Sequence, residues 1–342
     1  MSEARRPDYP YRPMSAADVA AAHTLSVHLK WPHRQEDWAM LQRLGQGYVV
    51  EDQGKLVGSV VTCPQGQYAT IGMVIVSDEY QGRGIGRRLM ELALDACGPR
   101  TAVLNATLAG APLYASQGFV EFGQIQQHQG HAEVPSPVAL AAGERCRSLG
   151  EADRSRQLEL ANAGSGLDRQ SVMDELFAIT EHSVGIERDG QLRAFAILRP
   201  FGRGRSIGPV IAENAEQAQQ LIATLLARVP GEYVRIDIPA DSGLSAWLEK
   251  AGLKRVDQVA QMARGTPPQA TGGVRQFALV TQAIGCPPLF NVTLEKSFHV
   301  RTHRPDAGPR RRQRQCHPLH RRTPGFRRPV RRGAPTGIRR RQ

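Results

Sequence analysis

Glycines at positions 82, 84 and 86, set among arginines at 83, 87 and 88, are the residues of this chain best suited to chemistry. Glycine lets a backbone curl until several N–H groups point into one hollow, and a helix N-terminus placed there adds partial positive charge. Arg83, Arg87 and Arg88 add fixed charge at the same end. The chemistry is the holding of an anion, above all a phosphate. The flanking elements suit that task. The apolar run from Ala69 to Val76 reads as a buried strand leading into the loop. Ile85, Leu89, Leu92 and Ala96 share one face of a helix that leaves the loop and stops at Gly98-Pro99.

Spacing narrows the choice of phosphate. A P-loop requires Gly-x4-Gly-Lys-Ser/Thr, and no lysine lies between Lys55 and Lys250. A dinucleotide fingerprint requires Gly-x-Gly-x-x-Gly, whereas these glycines alternate and position 87 is Arg. The string Gln81-Gly82-Arg83-Gly84-Ile85-Gly86 after a strand resembles the pyrophosphate-binding motif of the GNAT acyltransferases. The resemblance implies that Gln81, Gly82, Arg83, Gly84, Ile85, Gly86 and Arg87 hold the diphosphate of coenzyme A. It also implies that the preceding strand splays from its neighbour, so that Val74, Ile75 and Val76 offer backbone groups to the pantetheine arm.

More of the chain agrees. Thr101 to Ala106 reads as the next strand, and Ala111-Pro-Leu-Tyr-Ala-Ser-Gln-Gly-Phe119 is similar to the GNAT segment in which a short helix presents a tyrosine before a Gly-Phe pair. The resemblance makes Tyr114 the general acid for the departing coenzyme A thiolate. A phenol near its ordinary pKa of about 10 keeps its proton at neutral pH and can donate to a developing sulfur anion. The competing reading is a tyrosine that packs the turn. Asn105, at the strand end, is a further candidate for a cofactor or water ligand. The activity implied is acyl transfer, by default from acetyl-CoA and with no metal, to an amine of a small molecule or peptide. A coenzyme A-responsive binding protein without turnover is the alternative.

Sliding the sequence against itself by 136 positions reveals an internal repeat. Glu51, Gly54 and Leu56 meet Glu187, Gly190 and Leu192, while Ile71, Gly72, Val74 and Ile75 meet Ile207, Gly208, Val210 and Ile211. The expected fold is therefore α/β (α+β), with two GNAT-like domains, each a twisted mixed sheet flanked by helices. The catalytic domain spans residues 10–130, a linker 131–155, a degenerate second domain 156–285 and a basic tail 286–342. Opposite the glycine loop the second copy has Gln217-Ala-Gln-Gln-Leu-Ile222, and opposite Tyr114 it has Leu248 beside Trp247. It lacks both the cradle and the acid, which leaves a structural or substrate-shaping role. Arg203 and Arg205, beside Gly202 and Gly204, suit either a solvated hairpin loop or an anion site.

The first half spells out the elements that position the loop. Tyr11 to Met14 suits a short strand, and Ser15 caps a helix running to about Leu29. Trp31-Pro32 breaks that helix and Glu36 to Leu44 forms the next. A hairpin turns about Asp52-Gln-Gly54. The segment from Trp31 to Trp38 falls where GNAT enzymes form part of the acceptor pocket, and it equally suits packing of a helix on the sheet. His23, His28, His33 and Asp37 are base candidates of the right type, with none singled out by spacing.

The net charge of +12 suggests a nucleic-acid partner until it is located. Residues 286–342 hold 15 Arg and one Lys against Glu295 and Asp306, a balance of +14, which leaves −2 for residues 1–285. Nucleic-acid or anionic-lipid binding therefore depends wholly on this Arg- and Pro-rich tail. The tail reads as disordered, and a shifted or read-through reading frame is a second account of it. There is no apolar run long enough to span a bilayer, and five cysteines without a Cys-x-x-Cys pair point to reduced thiols in the cytoplasm.

Overall fold

A computed structural model describes residues 9–285; the basic tail and both accounts of it lie outside the described residues. Local sequence builds one plan twice. The first copy comprises β1 (Tyr11–Pro13), α1 (Val19–His28), α2 (Gln35–Leu44), β2 (Gln46–Asp52), β3 (Lys55–Gln65), β4 (Tyr68–Val76), α3 (Ile85–Cys97), β5 (Thr101–Ala106), α4 (Ala111–Ala115) and β6 (Val120–His131). The second comprises β7 (Glu144–Ser148), α5 (Arg154–Ser165), α6 (Gln170–Ile179), β8 (His182–Arg188), β9 (Gln191–Phe201), β10 (Gly204–Ala212), α7 (Ala215–Leu226), β11 (Tyr233–Pro239), α8 (Ser245–Lys250) and β12 (Lys254–Arg264). A last strand, β13 (Arg275–Ala278), has no counterpart in the first copy. Strand β7 falls within the stretch read as a linker.

The repeat extends to side-chain chemistry. The turns of both hairpins place two successive residues in the left-handed region: Gln53 and Gly54 at φ 50° and 77°, Asp189 and Gly190 at 53° and 72°. That geometry matches the twist of the flanking strands, which is why a glycine recurs there. Arg12 pairs with Asp18 at 2.7 Å and with Glu51, and Arg147 pairs with Asp153 at 2.8 Å and Glu187 at 2.7 Å. Each arginine ties the first strand of its copy to the helix start and to the hairpin.

All thirteen strands join one mixed sheet in the order β1-β2-β3-β4-β5-β12-β6-β11-β10-β9-β8-β7, with β13 attached to β10. The pairs β4·β5 and β10·β11 are parallel, and the other pairs are antiparallel. The two copies exchange their final strands. Strand β6 leaves the first copy to lie beside β11, and β12 leaves the second to lie beside β5. The buried ring of His128 on β6 anchors this exchange, with its Nδ1 2.9 Å from the Leu253 carbonyl and its Nε2 3.2 Å from Ser245 Oγ.

Apolar burial follows the same layout. Helix α3, through Ile85, Leu89, Met90 and Ala93, covers the first copy's sheet, and α7, through Leu221, Ile222 and Leu225, covers the second's. A further core joins the α1–α2 side of the first copy to the α5–α6 side of the second through Trp38, Leu41, Leu160, Leu176 and Phe195. No described helix is long and apolar enough to cross a membrane.

Candidate active site

Strand β4 stays paired with β5 only from Tyr68 to Ile71, opposite Thr101 to Leu104, and beyond that the two part. The opening begins where β4 bulges against β3: the register slips between Ser59 and Val61, and Met73 takes φ 53°. The buried Ser59 hydroxyl donates to the Met73 carbonyl at 2.9 Å. The peptide unit is planar and trans, so the Val74 N–H points away from Ser59. A bulge beside a cleft is a common device for re-aiming backbone groups.

The cleft is a cavity of about 520 Å³. Of the residues anticipated from sequence, Val74, Ile75, Val76, Gln81, Gly82, Gly84, Ile85, Gly86, Arg87, Asn105 and Tyr114 all line it. Gly82 and Gly84 take φ 74° and 85°, and Gly84 caps α3. Arg88 is the first residue of the helix whose N–H is claimed, by the Gly84 carbonyl at 3.1 Å. The N–H groups of Ile85, Gly86 and Arg87 are thus the orphan donors of the first turn, and they sit at the cavity.

Arg83 does not line this cavity. Its guanidinium donates to the Tyr9 hydroxyl at 2.8 Å and the Glu79 carbonyl at 2.7 Å, and it lies 4.9 Å from the centre of the Tyr80 ring. It braces the loop from behind. Gln81 is tied to Asp78 at 3.0 Å, whereas the Arg87 guanidinium donates to Ser116 Oγ at 3.3 Å, makes no ion pair among the described residues and lines the cleft.

Tyr114 both packs and faces the cleft. Its ring packs edge-to-face on Phe119 at 6.2 Å and is 8% exposed, yet it lines the cavity. Burial pushes the phenol up to about 12. A proton held that firmly stays on the phenol at neutral pH, so the hydroxyl can donate a hydrogen bond, while complete transfer to a thiolate of ordinary pKa, about 8.5, would run uphill. Gly110 makes room for this ring, since a Cβ there would come within 2.9 Å of it. Neither Gly110 nor Thr107, which also lines the cavity, was singled out from sequence, because a small residue in a short turn carries no distinctive pattern.

A second cavity of about 360 Å³ adjoins the first, sharing Leu29, Trp31, Gly72, Met73, Asn105 and Thr107 with it. Its walls come from both copies, including Gln127 of β6, Arg235 of β11 and Asp257 of β12. The Trp31–Trp38 segment divides between cavity wall and core. Trp31 and His33 line this cavity, whereas Trp38 is fully buried with its indole N–H on Ser26 at 3.0 Å. The four base candidates separate as well. His33 packs on Phe201 at 5.4 Å, and burial, helped by the Arg235 charge, drives its imidazole down to about 3, so it is neutral. His23 meets the His33 carbonyl at 3.0 Å, Asp37 is held by Arg34 at 3.0 Å, and exposed His28 lines neither cavity. Asn105 donates to the carbonyls of Gln282 at 2.8 Å and Gly285 at 2.7 Å. It fastens the end of the described chain to the junction of the cavities.

Two protein families, each described as an acetyltransferase (GNAT) domain, match this chain at residues 43–121 and 158–276. The chain is a tandem GNAT acyltransferase. It is 28% identical over 260 residues to the uncharacterized N-acetyltransferase YitH of Bacillus subtilis, covering 75% of this chain and 91% of that protein. It is 25% identical to the holothin acyltransferase of a Pseudoalteromonas species, covering 68% and 84% respectively. Its fold is similar to that of a putative acetyltransferase from Pyrococcus horikoshii, with a TM-score of 0.65 at 18% identity over 81% of this chain and 96% of that one.

The second GNAT domain opens its sheet in the same way but fills the gap. Strand β10 pairs with β11 only at Arg205 and Ser206, then β13 pairs with β10 at Val210 to Ala212. Arg205 forms ion pairs with Glu181 at 2.5 Å and Glu232 at 3.1 Å, so its charge is compensated by residues just ahead of β8 and β11.

Proposed function

We propose that the first GNAT domain transfers an acetyl group from acetyl-CoA to an amine by direct attack. The observation that carries this reading is the junction of two cavities at the splayed part of β4. One cavity runs to the glycine loop and the other to polar side chains of both domains, with Met73, Asn105 and Thr107 between them. The N–H groups of Ile85, Gly86 and Arg87 and the Arg87 side chain would take the diphosphate. The Val74 N–H would polarise the thioester oxygen, and its charge would develop there as the amine attacks. Tyr114 would then hydrogen-bond the departing sulfur, the proton given up by the attacking nitrogen would pass through solvent to the thiolate to leave the free thiol, and neutral His33 would line the acceptor side. The thiol released by each turnover provides the test. Thiol release from acetyl-CoA, measured across a panel of amines, is expected to depend on the amine. Acetyl-CoA binding by calorimetry with no thiol release from any amine would favour a coenzyme A-responsive binding protein instead.

A further inference from the structure

The floor of the acceptor cavity lies where the two domains exchange strands. Strand β6 sits between β11 and β12, and Gln127 stands opposite both Asp237 and Asp257. Gln129 likewise stands opposite Arg235 and Lys254. Directly opposed residues share a face of the sheet, and so do residues two apart on one strand. Gln127, Gln129, Arg235 and Asp257 therefore form one polar surface, and all four line the cavity.

Charge on this surface is uneven. Arg235 is buried and holds Asp237 through two hydrogen bonds of 3.0 Å, so each neutralises the other. Asp257 accepts from the Gln258 N–H at 2.8 Å and makes no ion pair among the described residues. It is the only carboxylate among the described residues lining this cavity, with Lys30 as the remaining uncompensated charge at the rim. A bulge sits beside it: Arg255 opposes His128 and Asp257 opposes Gln127, which leaves Val256 unpaired and 49% exposed. Bulges re-aim neighbouring side chains. Trp31 lines the same cavity, and an aromatic face also favours cations.

We propose that Asp257 of the second domain selects the acceptor of the first by holding the positive charge of an alkylammonium substrate. This rests on the acyltransferase reading above. Alkylamines, with pKa values near that of lysine at about 10.4, reach the protein as cations and give up one proton to solvent before the nitrogen attacks. A solvent-facing carboxylate a few ångströms away favours them by about 1 kcal/mol, a factor of roughly five to ten in KM.

The test uses the full chain with acetyl-CoA, a primary alkylamine and an arylamine of similar size that is uncharged at neutral pH. Asp257→Asn is expected to raise KM for the alkylamine about fivefold to tenfold, with kcat changed less than about twofold, and Asp257→Lys is expected to raise it further. KM for the arylamine and for acetyl-CoA should stay as in the parent protein, and added salt should narrow the alkylamine difference. An unchanged alkylamine KM, or equal shifts for both amines, would overturn the role of Asp257 while leaving the acyltransferase reading in place. Parent protein that acetylates neither amine nor any other amine of a wider panel would overturn that reading, and this inference with it.

Discussion

Two clefts open at equivalent places in the two domains, and only one is vacant. In the first domain β4 and β5 part beyond Ile71, and the gap leads to a glycine loop that presents the N–H groups of Ile85 to Arg87. In the second, β10 and β11 part beyond Ser206, and β13 enters the gap. Phe277 and Leu279 are buried there, the Leu279 N–H bonds the Asp237 carbonyl at 2.8 Å, and buried Arg199 donates to the Val280 carbonyl at 2.7 Å. Splayed strands leave backbone groups unpaired, and those groups must find partners when buried. The second domain answers with its own chain. The chain then continues to the smaller cavity beside the first domain's cleft, where Gln282 and Ala283 form part of the wall and Ala283 packs on Gly72.

The contrast can be broken from the filled side first. Phe277→Ala should destabilise the protein by about 3–5 kcal/mol, the usual cost of deleting a buried aromatic ring, as read by denaturant unfolding. Calorimetric stoichiometry should stay at one acyl-CoA per chain. Binding of a second equivalent would mean that β13, rather than the missing glycines, closes the second cleft.

On the vacant side, Gly84→Val places a β-branched residue at φ 85° and obstructs the N–H hollow. Acyl-CoA affinity should fall by roughly a hundredfold or more, with the far-UV circular dichroism retained. Micromolar binding by this variant would locate the cofactor elsewhere. Tyr114→Phe should lower kcat about tenfold to a hundredfold while leaving the acyl-CoA dissociation constant within about twofold. Full turnover would reduce Tyr114 to its packing against Phe119.

The smallest effect concerns what the two domains share. Arg12 holds the Asp18 carboxyl below the usual carboxylate range by hydrogen bonding, and Arg147 does the same to Asp153. A carboxyl depressed in the folded state stabilises it above the unfolded pKa, about 3.9, and that contribution is lost as pH falls below this value. Arg12→Leu and Arg147→Leu should therefore each make Tm less sensitive to acid between about pH 4 and pH 2, with only a modest loss at pH 7 because both arginines are partly exposed. Markedly unequal responses would show that the domains differ in more than their clefts.

Much of the cradle was legible because its requirements are local. Left-handed φ at residues 82 and 84 needs glycine, and the strand, loop and helix are contiguous, so spacing alone separated this loop from a P-loop. Side-chain direction was less legible. Arg83 reads as one more positive charge beside the phosphate, yet Tyr9 and the Glu79 carbonyl draw it behind the loop. Asn105 reads as a ligand from its place at a strand end; its Nδ2 is given to Gln282 and Gly285, more than 170 residues away, while its buried Oδ1 has no hydrogen-bond partner among the described residues.

By itself the sequence determined the repeat, its hairpins and the single glycine cradle, because each depends on periodicity or backbone conformation within a few tens of residues. The 136-residue shift maps β2, β3 and β4 onto β8, β9 and β10 end to end. Tertiary structure decided which strands became neighbours. The exchange of β6 and β12, the entry of β13 into the second cleft and the shared floor of the smaller cavity all join residues more than 60 apart in the chain. A strand's alternating pattern says which face is buried but not which edge it meets. The polar surface carrying Asp257 exists only once those edges have been chosen.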